Sequence, residues 1–201
     1  MPITLNTDRI SICIPIFYKP ELYTIINRCL KSIKKYYPDF NLITLDDASL
    51  YFNPFSITIH NQKNLGFTAS VNKLLKYAFK ISDTVIIVND DLEFKEGDLD
   101  RYRRLGNGIY SPRDTASGNL STFGAIWGMN KKTYRKMGFL DNKYKHFCSD
   151  LDYYDKAIRL GVPIVKWTDI CVLHHESATY KSENKTELLK RDQKIFNQKY
   201  K

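Results

Sequence analysis

The run Val85-Ile86-Ile87-Val88 has no polar residue on either face of the strand it would form. A half-exposed strand alternates polar with apolar, so an unbroken apolar run belongs to a strand covered on both sides, as in parallel sheets flanked by helices. The flanking pattern agrees. Ile10 to Ile16 is a short apolar run, and after Lys19-Pro20 the residues Leu22, Ile25, Ile26, Cys29, Leu30 and Ile33 recur at helical spacing. Pro20 suits a first helical turn, where its missing N–H costs nothing, and Pro38 closes the segment before a strand over 41–45. A third strand is expected over 56–60. Gly66 then opens a helix whose apolar face is Val71, Leu74, Leu75, Ala78 and Phe79. Strands alternating with helices predict a doubly wound α/β domain with a mostly parallel, Rossmann-like central sheet and helices on both faces.

Beyond Asp91 the pattern loosens. It predicts a short helix over 97–105, strands over 109–111 and 123–129, helices over 131–136 and 150–160, short strands over 162–167 and 170–173, and a polar terminal helix over 182–200. At 201 residues the chain suits one domain. Within it, 8–94 reads as a nucleotide-binding half, 95–180 as an acceptor and catalytic half, and 181–201 as a basic C-terminal helix.

Charge and cysteines bound the partners. Thirty-one Lys and Arg against 22 Asp and Glu give +9, which favours anionic partners such as nucleotide phosphates, nucleic acid or an acidic membrane surface. Cys13, Cys29, Cys148 and Cys171 form no CxxC pair, so they read as reduced thiols, with Cys13 and Cys171 in apolar, strand-like segments. No apolar run approaches the roughly 20 residues of a membrane span. A soluble, unsecreted, cytoplasmic protein is expected, with peripheral contact at the inner face of a membrane as an option.

In an open parallel sheet, ligands bind beyond the carboxyl ends of the strands. The acids fall there: Asp46-Asp47 ends the second strand, and Asn89-Asp90-Asp91 follows the run at 84–88. Such carboxylates suit magnesium or manganese, which share coordination between one or two carboxylates and substrate phosphates.

The order of these features resembles the family-2 glycosyltransferases of the GT-A (nucleotide-diphospho-sugar transferase) fold, especially their rhamnosyltransferase-like branch, from about Ile10 to Thr179. The landmarks are Ile14-Pro15, Leu45-Asp46-Asp47-Ala48-Ser49, Asn64-Leu65-Gly66-Phe67 with Asn72, Val88-Asn89-Asp90-Asp91, Gly138-Phe139-Leu140-Asp141, Ser149-Asp150-Leu151-Asp152 with Arg159-Leu160-Gly161, and Val172-Leu173-His174 with Ser177 and Thr179. The resemblance implies a metal-dependent, inverting transfer of a sugar from a UDP-, GDP- or dTDP-linked donor to a hydroxyl of a glycan acceptor. By that resemblance Asp46 and Asp47 would recognise base and ribose, and Pro15, Asn64, Gly66 and Asn72 would line the nucleotide. Asn89 and Asp90 would face donor sugar or ribose, Asp91 would be the principal metal ligand, and His174 would lie near metal and diphosphate, with His175 as its substitute. Asp150 would be the general base and Asp152 the runner-up. The family's Asp-x-Asp begins here with Asn89, and the Glu before its catalytic Asp is Ser149.

Trp127, Phe123 and Tyr153 could form an aromatic acceptor platform or pack in the core. Gly66 would let the backbone approach closely as a helix N-terminus receptive to negative charge begins. The seven basic residues of 181–201 read as a solvated helix packed on the domain edge, or as a contact to a membrane or a nucleic-acid backbone. Two other functions remain open at this point: transfer to a hydroxymethylated base in DNA, and a non-catalytic nucleotide- or glycan-binding module of the same fold.

Overall fold

The computed structural model describes residues 9–115, 125–175 and 185–201. Its sheet contains β1 (Ile10–Ile16), β2 (Asn41–Asp46), β3 (Ile59–His60), β4 (Thr84–Val88), β5 (Leu92–Glu93), β6 (Ile109–Asp114), β7 (Ile126–Asn130) and β8 (Ile164–His174), in the order β3-β2-β1-β4-β7-β6-β8-β5. β1 to β4 are mutually parallel, while β7 runs antiparallel to both β4 and β6. β6 therefore points the same way as β4, and β8 pairs with it in parallel. The carboxyl ends of β1, β2, β4, β6 and β8 consequently share one edge, which gathers residues far apart in sequence.

Both faces are covered, as the apolar run at β4 requires. On one side Ile12, Ile14, Ile16, Ile86 and Val88 pack under α1 (Tyr23–Tyr36), which contributes Ile26, Cys29, Leu30 and Ile33. On the other, Cys13, Val85 and Ile87 pack under α2 (Phe67–Ile81) through Val71, Leu74, Leu75 and Ala78, and under α4 (Ser149–Arg159) through Tyr153 and Ala157. Odd and even strand residues thus feed two cores, the period-2 rule applied to a central strand. Pro15 sits where β1 can spare an N–H, since its ladder with β4 stops at Cys13↔Ile87.

Several expectations change. The strand expected over 56–60 shrinks to two residues, and the helix expected over 97–105 is a tight 3-10 turn, Asp100–Arg104. The two short strands after 162 are one, β8, whose register with β6 shifts at Pro112/Arg113 and so hides the continuity from a simple periodicity. Pro20 opens a 3-10 turn, Pro20–Leu22, that leads into α1. Cys13 and Cys29 are buried, whereas Cys171 is exposed because its neighbour Val172 takes the inward position. α3 (Lys131–Met137) follows β7 directly, and α5 (Lys185–Lys199) ends the chain. No helix among the described residues is long and apolar enough to cross a membrane.

Candidate active site

The short strand β5 decides where Asp91 lies. It pairs antiparallel with the end of β8, placing Leu92 opposite His174, while the N–H of His175 donates to the Asp91 carbonyl at 3.0 Å. His174 Nε2 then faces Asp91 Oδ1 at 3.1 Å, and its Nδ1 lies 3.1 Å from Asp114 Oδ1 at the end of β6. Thr115 fixes the backbone of His174, accepting its N–H at 2.9 Å and donating to its carbonyl at 3.2 Å. Burial pulls the imidazole pKa down, but the hydrogen bond to Asp114 and the adjoining Asp91 carboxylate outweigh it and raise the pKa to about 9.

Asp91 Oδ1 and His174 Nε2 are both buried, and with the imidazole pKa raised they face one another as an ion pair. Two buried polar atoms held face to face fit a site where a cation would take the place of the imidazolium proton. Asp114 behind the ring is the carboxylate that metal-ligating histidines use to fix their tautomer. Among the described residues no cluster of three or more His, Cys, Asp or Glu side chains could hold a metal. A cation here would therefore take two protein ligands and complete its shell with phosphate oxygens and water, the habit of magnesium and manganese. His175 does not substitute, because its ring is turned to Glu93 at 3.0 Å.

At β2 the two acids are committed locally. Asp47 accepts the N–H groups of Leu65 at 2.9 Å and Gly66 at 2.8 Å, and the amide of Asn61 at 2.8 Å. It holds the turn that enters α2, so its oxygens are filled from within the protein. Asp46 ties down the loop after β2 through Ser49 and Asn53. Asn64 is exposed at the same edge, and Asn89 follows β4 with its N–H on the Ala125 carbonyl. Asp90 is buried beside it.

Asn72 has a different task from the one expected. Its amide donates to the Leu140 carbonyl at 2.9 Å and to Asn142 at 2.8 Å, and its oxygen accepts the Leu140 N–H at 2.9 Å. It clamps α2 to the loop before α4 with both amide hydrogens and one lone pair of its oxygen. The N-terminus of α2 is likewise not open to phosphate: Thr68 N–H donates to the Lys145 carbonyl at 3.2 Å and Phe67 N–H to His146 Nδ1 at 3.5 Å. Gly66 makes that approach feasible, with φ +85° and a position where a Cβ would meet the Lys145 carbonyl at 2.6 Å. Burial, and after it the charge of Lys145, lowers the His146 pKa and keeps the ring neutral enough to accept.

That contact seats the segment 145–148 beside the start of α2, at the strand-end edge, and Cys148, in the left-handed region at φ +60°, begins α4 directly after it. Asp150 stands in the first turn of α4, where burial raises its pKa. Asp152, two residues on, is not placed as a base. It is buried and accepts from Lys199 Nζ at 2.6 Å, Tyr200 Oη at 2.9 Å and Tyr144 Oη at 3.2 Å, which fastens α5 to α4. Neither Ser149 nor Asp150 caps the helix, since Cys148 holds that position. Trp127 and Tyr153 are core residues, their rings 5.7 Å apart and the Tyr153 hydroxyl spent on the Gly138 carbonyl, so they form no acceptor platform. Phe123, Ser177 and Thr179 lie outside the described residues.

One residue with no signal in the sequence pattern organises this side. Asp192 of α5 is fully buried and accepts the N–H groups of Lys145, His146 and Phe147 at 2.8–3.2 Å. An acid between basic neighbours on a basic helix reads as a solvated charge. Only the fold reveals that it sits under three backbone donors.

Residues 11–105 match the family model "Glycosyl transferase family 2". That match covers just under half of the chain. Solved structures agree on the GT-A fold. A mannosyltransferase from Pyrobaculum calidifontis, solved with GDP-Man and Mn2+, superposes with TM-score 0.65 at 12% identity, covering 86% of this chain and 58% of its own. TarS from S. aureus superposes with TM-score 0.60 at 14% identity, over 83% of this chain and 60% of its own. The Drosophila β1,4-galactosyltransferase 7, solved with manganese, UDP-Gal and xylobiose, gives TM-score 0.60 at 12% identity over 90% of this chain and 79% of its own. No curated protein matches the sequence significantly. The chain thus spans under two thirds of the first two of these structures, and nucleic-acid contact gains no support from any of them.

Proposed function

We propose that the chain transfers a sugar, with inversion, from a nucleoside-diphosphate sugar to a hydroxyl of a glycan acceptor, and that Asp91 and His174 hold a divalent cation on the donor diphosphate. The observation that carries this reading is the facing pair of buried atoms Asp91 Oδ1 and His174 Nε2, 3.1 Å apart at the strand edge. The neighbours solved with GDP-Man and Mn2+, and with manganese and UDP-Gal, support the donor class and the metal. Bound there, the cation would offset the negative charge that develops on the departing diphosphate.

The chain's own residues do the rest. Asp114 holds the His174 ring with Nε2 toward Asp91. Asp150 accepts the proton of the acceptor hydroxyl as its oxygen bonds to the anomeric carbon and the bond from that carbon to the diphosphate oxygen breaks on the opposite face. Its raised pKa makes it a stronger base than an exposed aspartate, which is what this step requires.

The test is a donor screen with UDP-, GDP- and dTDP-sugars in Mn2+ or Mg2+. At least one donor should bind and be hydrolysed slowly without acceptor. Asp91→Ala should lose the metal dependence, and Asp150→Asn should keep donor binding while losing transfer. No binding and no hydrolysis with any donor and metal would sink the proposal, and full transfer by Asp150→Asn would remove that residue as base.

A further inference from the structure

Leu50, Tyr51 and Phe52 are three consecutive large apolar residues that stand 83%, 54% and 90% exposed. Single apolar residues at a surface are ordinary, but an exposed run is not, and contiguous apolar surface marks an interaction site. The segment is also held outward. Asp46 accepts from Ser49 Oγ on one side of the run and from Asn53 Nδ2, at 3.0 Å, on the other, so both feet of the loop are tied to one carboxylate at the end of β2. Ser49 Oγ accepts the Tyr18 N–H at 2.7 Å, and Asn53 Oδ1 accepts the Phe55 N–H at 3.1 Å. The Phe55 ring stacks on Tyr23 with centroids 5.5 Å apart and meets the Tyr18 ring edge-on at 5.8 Å. With its feet pinned, the tip cannot fold its side chains onto the core.

What lies beside the tip selects the partner. Tyr23, itself 45% exposed, begins α1, and Tyr23, Asn27, Lys31 and Lys34 follow at spacings of four, four and three, so they form one ridge on the loop side of the helix. α1 contains Arg28, Lys31, Lys34 and Lys35 and no acidic residue. An apolar tip with a cationic helix face leading away from it is complementary to a surface with anionic headgroups over an apolar interior. A symmetric contact with a second copy would set that ridge near its own copy and repel.

We propose that residues 50–52 insert into the headgroup boundary of an anionic lipid bilayer while Lys31 and Lys34 engage its headgroups. The loop is rooted on Asp46 at the carboxyl end of β2, so the membrane would meet the molecule there and along the α1 face that leads away from it. This inference does not rest on the glycosyl-transfer reading and can fail separately from it.

The experiment is co-sedimentation of the full chain with vesicles of phosphatidylcholine alone and of phosphatidylcholine holding about one third phosphatidylserine, across a salt series. The wild type should pellet with the anionic vesicles and not with the neutral ones. The double variant Leu50→Ser/Phe52→Ser should bind about tenfold more weakly or worse at every salt concentration. Lys31→Glu/Lys34→Glu should bind at least tenfold more weakly at low salt and show a flatter salt dependence, since each cation near the surface strengthens binding about fivefold. Thermal melts and vesicle-free donor hydrolysis should be unchanged in both, because all four side chains are exposed. Equal binding by the wild type and the Leu50/Phe52 variant would overturn the proposal. So would an absence of vesicle binding, whether accompanied by a concentration-dependent dimer that this variant dissolves or by salt-sensitive binding to duplex DNA.

Discussion

The half built on β1, β2, β4 and α2 is held mainly by apolar burial, with Asp46 and Asp47 confined to its strand-end loop, whereas the half that carries Asp150 adds buried acids and amides between its elements. In the first, Ile12, Ile14, Ile86, Ile87 and Val88 are sealed between two helical layers. In the second, Asp192 gathers three backbone N–H groups, Asp152 gathers two tyrosines and a lysine, and Asn72 grips Leu140 on both sides. Apolar burial is non-directional and tolerates small changes of shape, while a satisfied buried carboxylate fixes direction and leaves a large penalty when removed. The arrangement suits a site in which the sheet supplies a firm edge and a loop, 138–148, must deliver one carboxylate to it with the correct orientation.

Asp150 is the exception within its own half, and the largest effect is expected there. It is half-buried without a side-chain partner that would favour its charge, and its pKa is raised. Asp150→Asn should lower kcat by about 10²–10⁴-fold with donor binding retained. The linkage has a definite sign. The unfolded carboxyl ionises near the ordinary value of 3.8 and the folded one only at higher pH, so the ionised residue destabilises the protein at neutral pH. Asp150→Asn should therefore raise Tm at pH 7, and the gain should vanish as pH falls below the ordinary carboxylate range. The acid limb of the wild-type kcat/KM profile should likewise lie above 3.8. An unchanged or lower Tm in the variant would place Asp150 among the structural carboxylates.

Asp192 tests the other side of the comparison. Asp192→Ala strands three backbone donors and should cost about 3 kcal/mol in denaturant unfolding, with loss of transfer as 145–148 loosens. Ile87→Val in the sheet should cost only about 1 kcal/mol and leave kcat alone. Equal costs would erase the distinction between the halves.

How much could be read from the chain follows the same division. β1, β2, β4, α1 and α2 announce themselves because each repeats an apolar period of two or 3.6 over its length, and the strand-end acids Asp46, Asp47 and Asp91 follow from the strands they terminate. β5, two residues long, has no period to detect, yet it alone aligns Asp91 with His174. Asp114 is invisible as a partner for the same reason: 60 residues of chain separate it from the histidine it orients. Asp152 and Asn72 carry the right residue types in the right motifs, but their side chains are consumed by Tyr200 and Leu140, and no local pattern encodes such distant partners.

A smaller effect is expected at Asp114. Asp114→Asn keeps a hydrogen-bonding side chain at the His174 ring but removes the charge behind it, so the apparent Mn2+ affinity of the donor complex should fall about 10–100-fold with little change in fold. Titrating Mn2+ against donor hydrolysis measures this. A variant with wild-type metal affinity would mean that the histidine needs no second carboxylate.

The mildest change distinguishes a clamp from a catalyst. Tyr200→Phe preserves the ring that packs against Phe196 at 4.6 Å and lies under the Arg159 guanidinium, and removes only the hydroxyl that donates to Asp152. Lys199 and Tyr144 still satisfy that carboxylate, so the loss should be about 1 kcal/mol in unfolding free energy, with kcat within a factor of about two. If Asp152 were instead the proton acceptor, freeing one of its lone pairs would change the pH profile of transfer. A shifted acid limb in Tyr200→Phe, with the fold intact, would move the base from Asp150 to Asp152 and make the α5 clamp part of the chemistry.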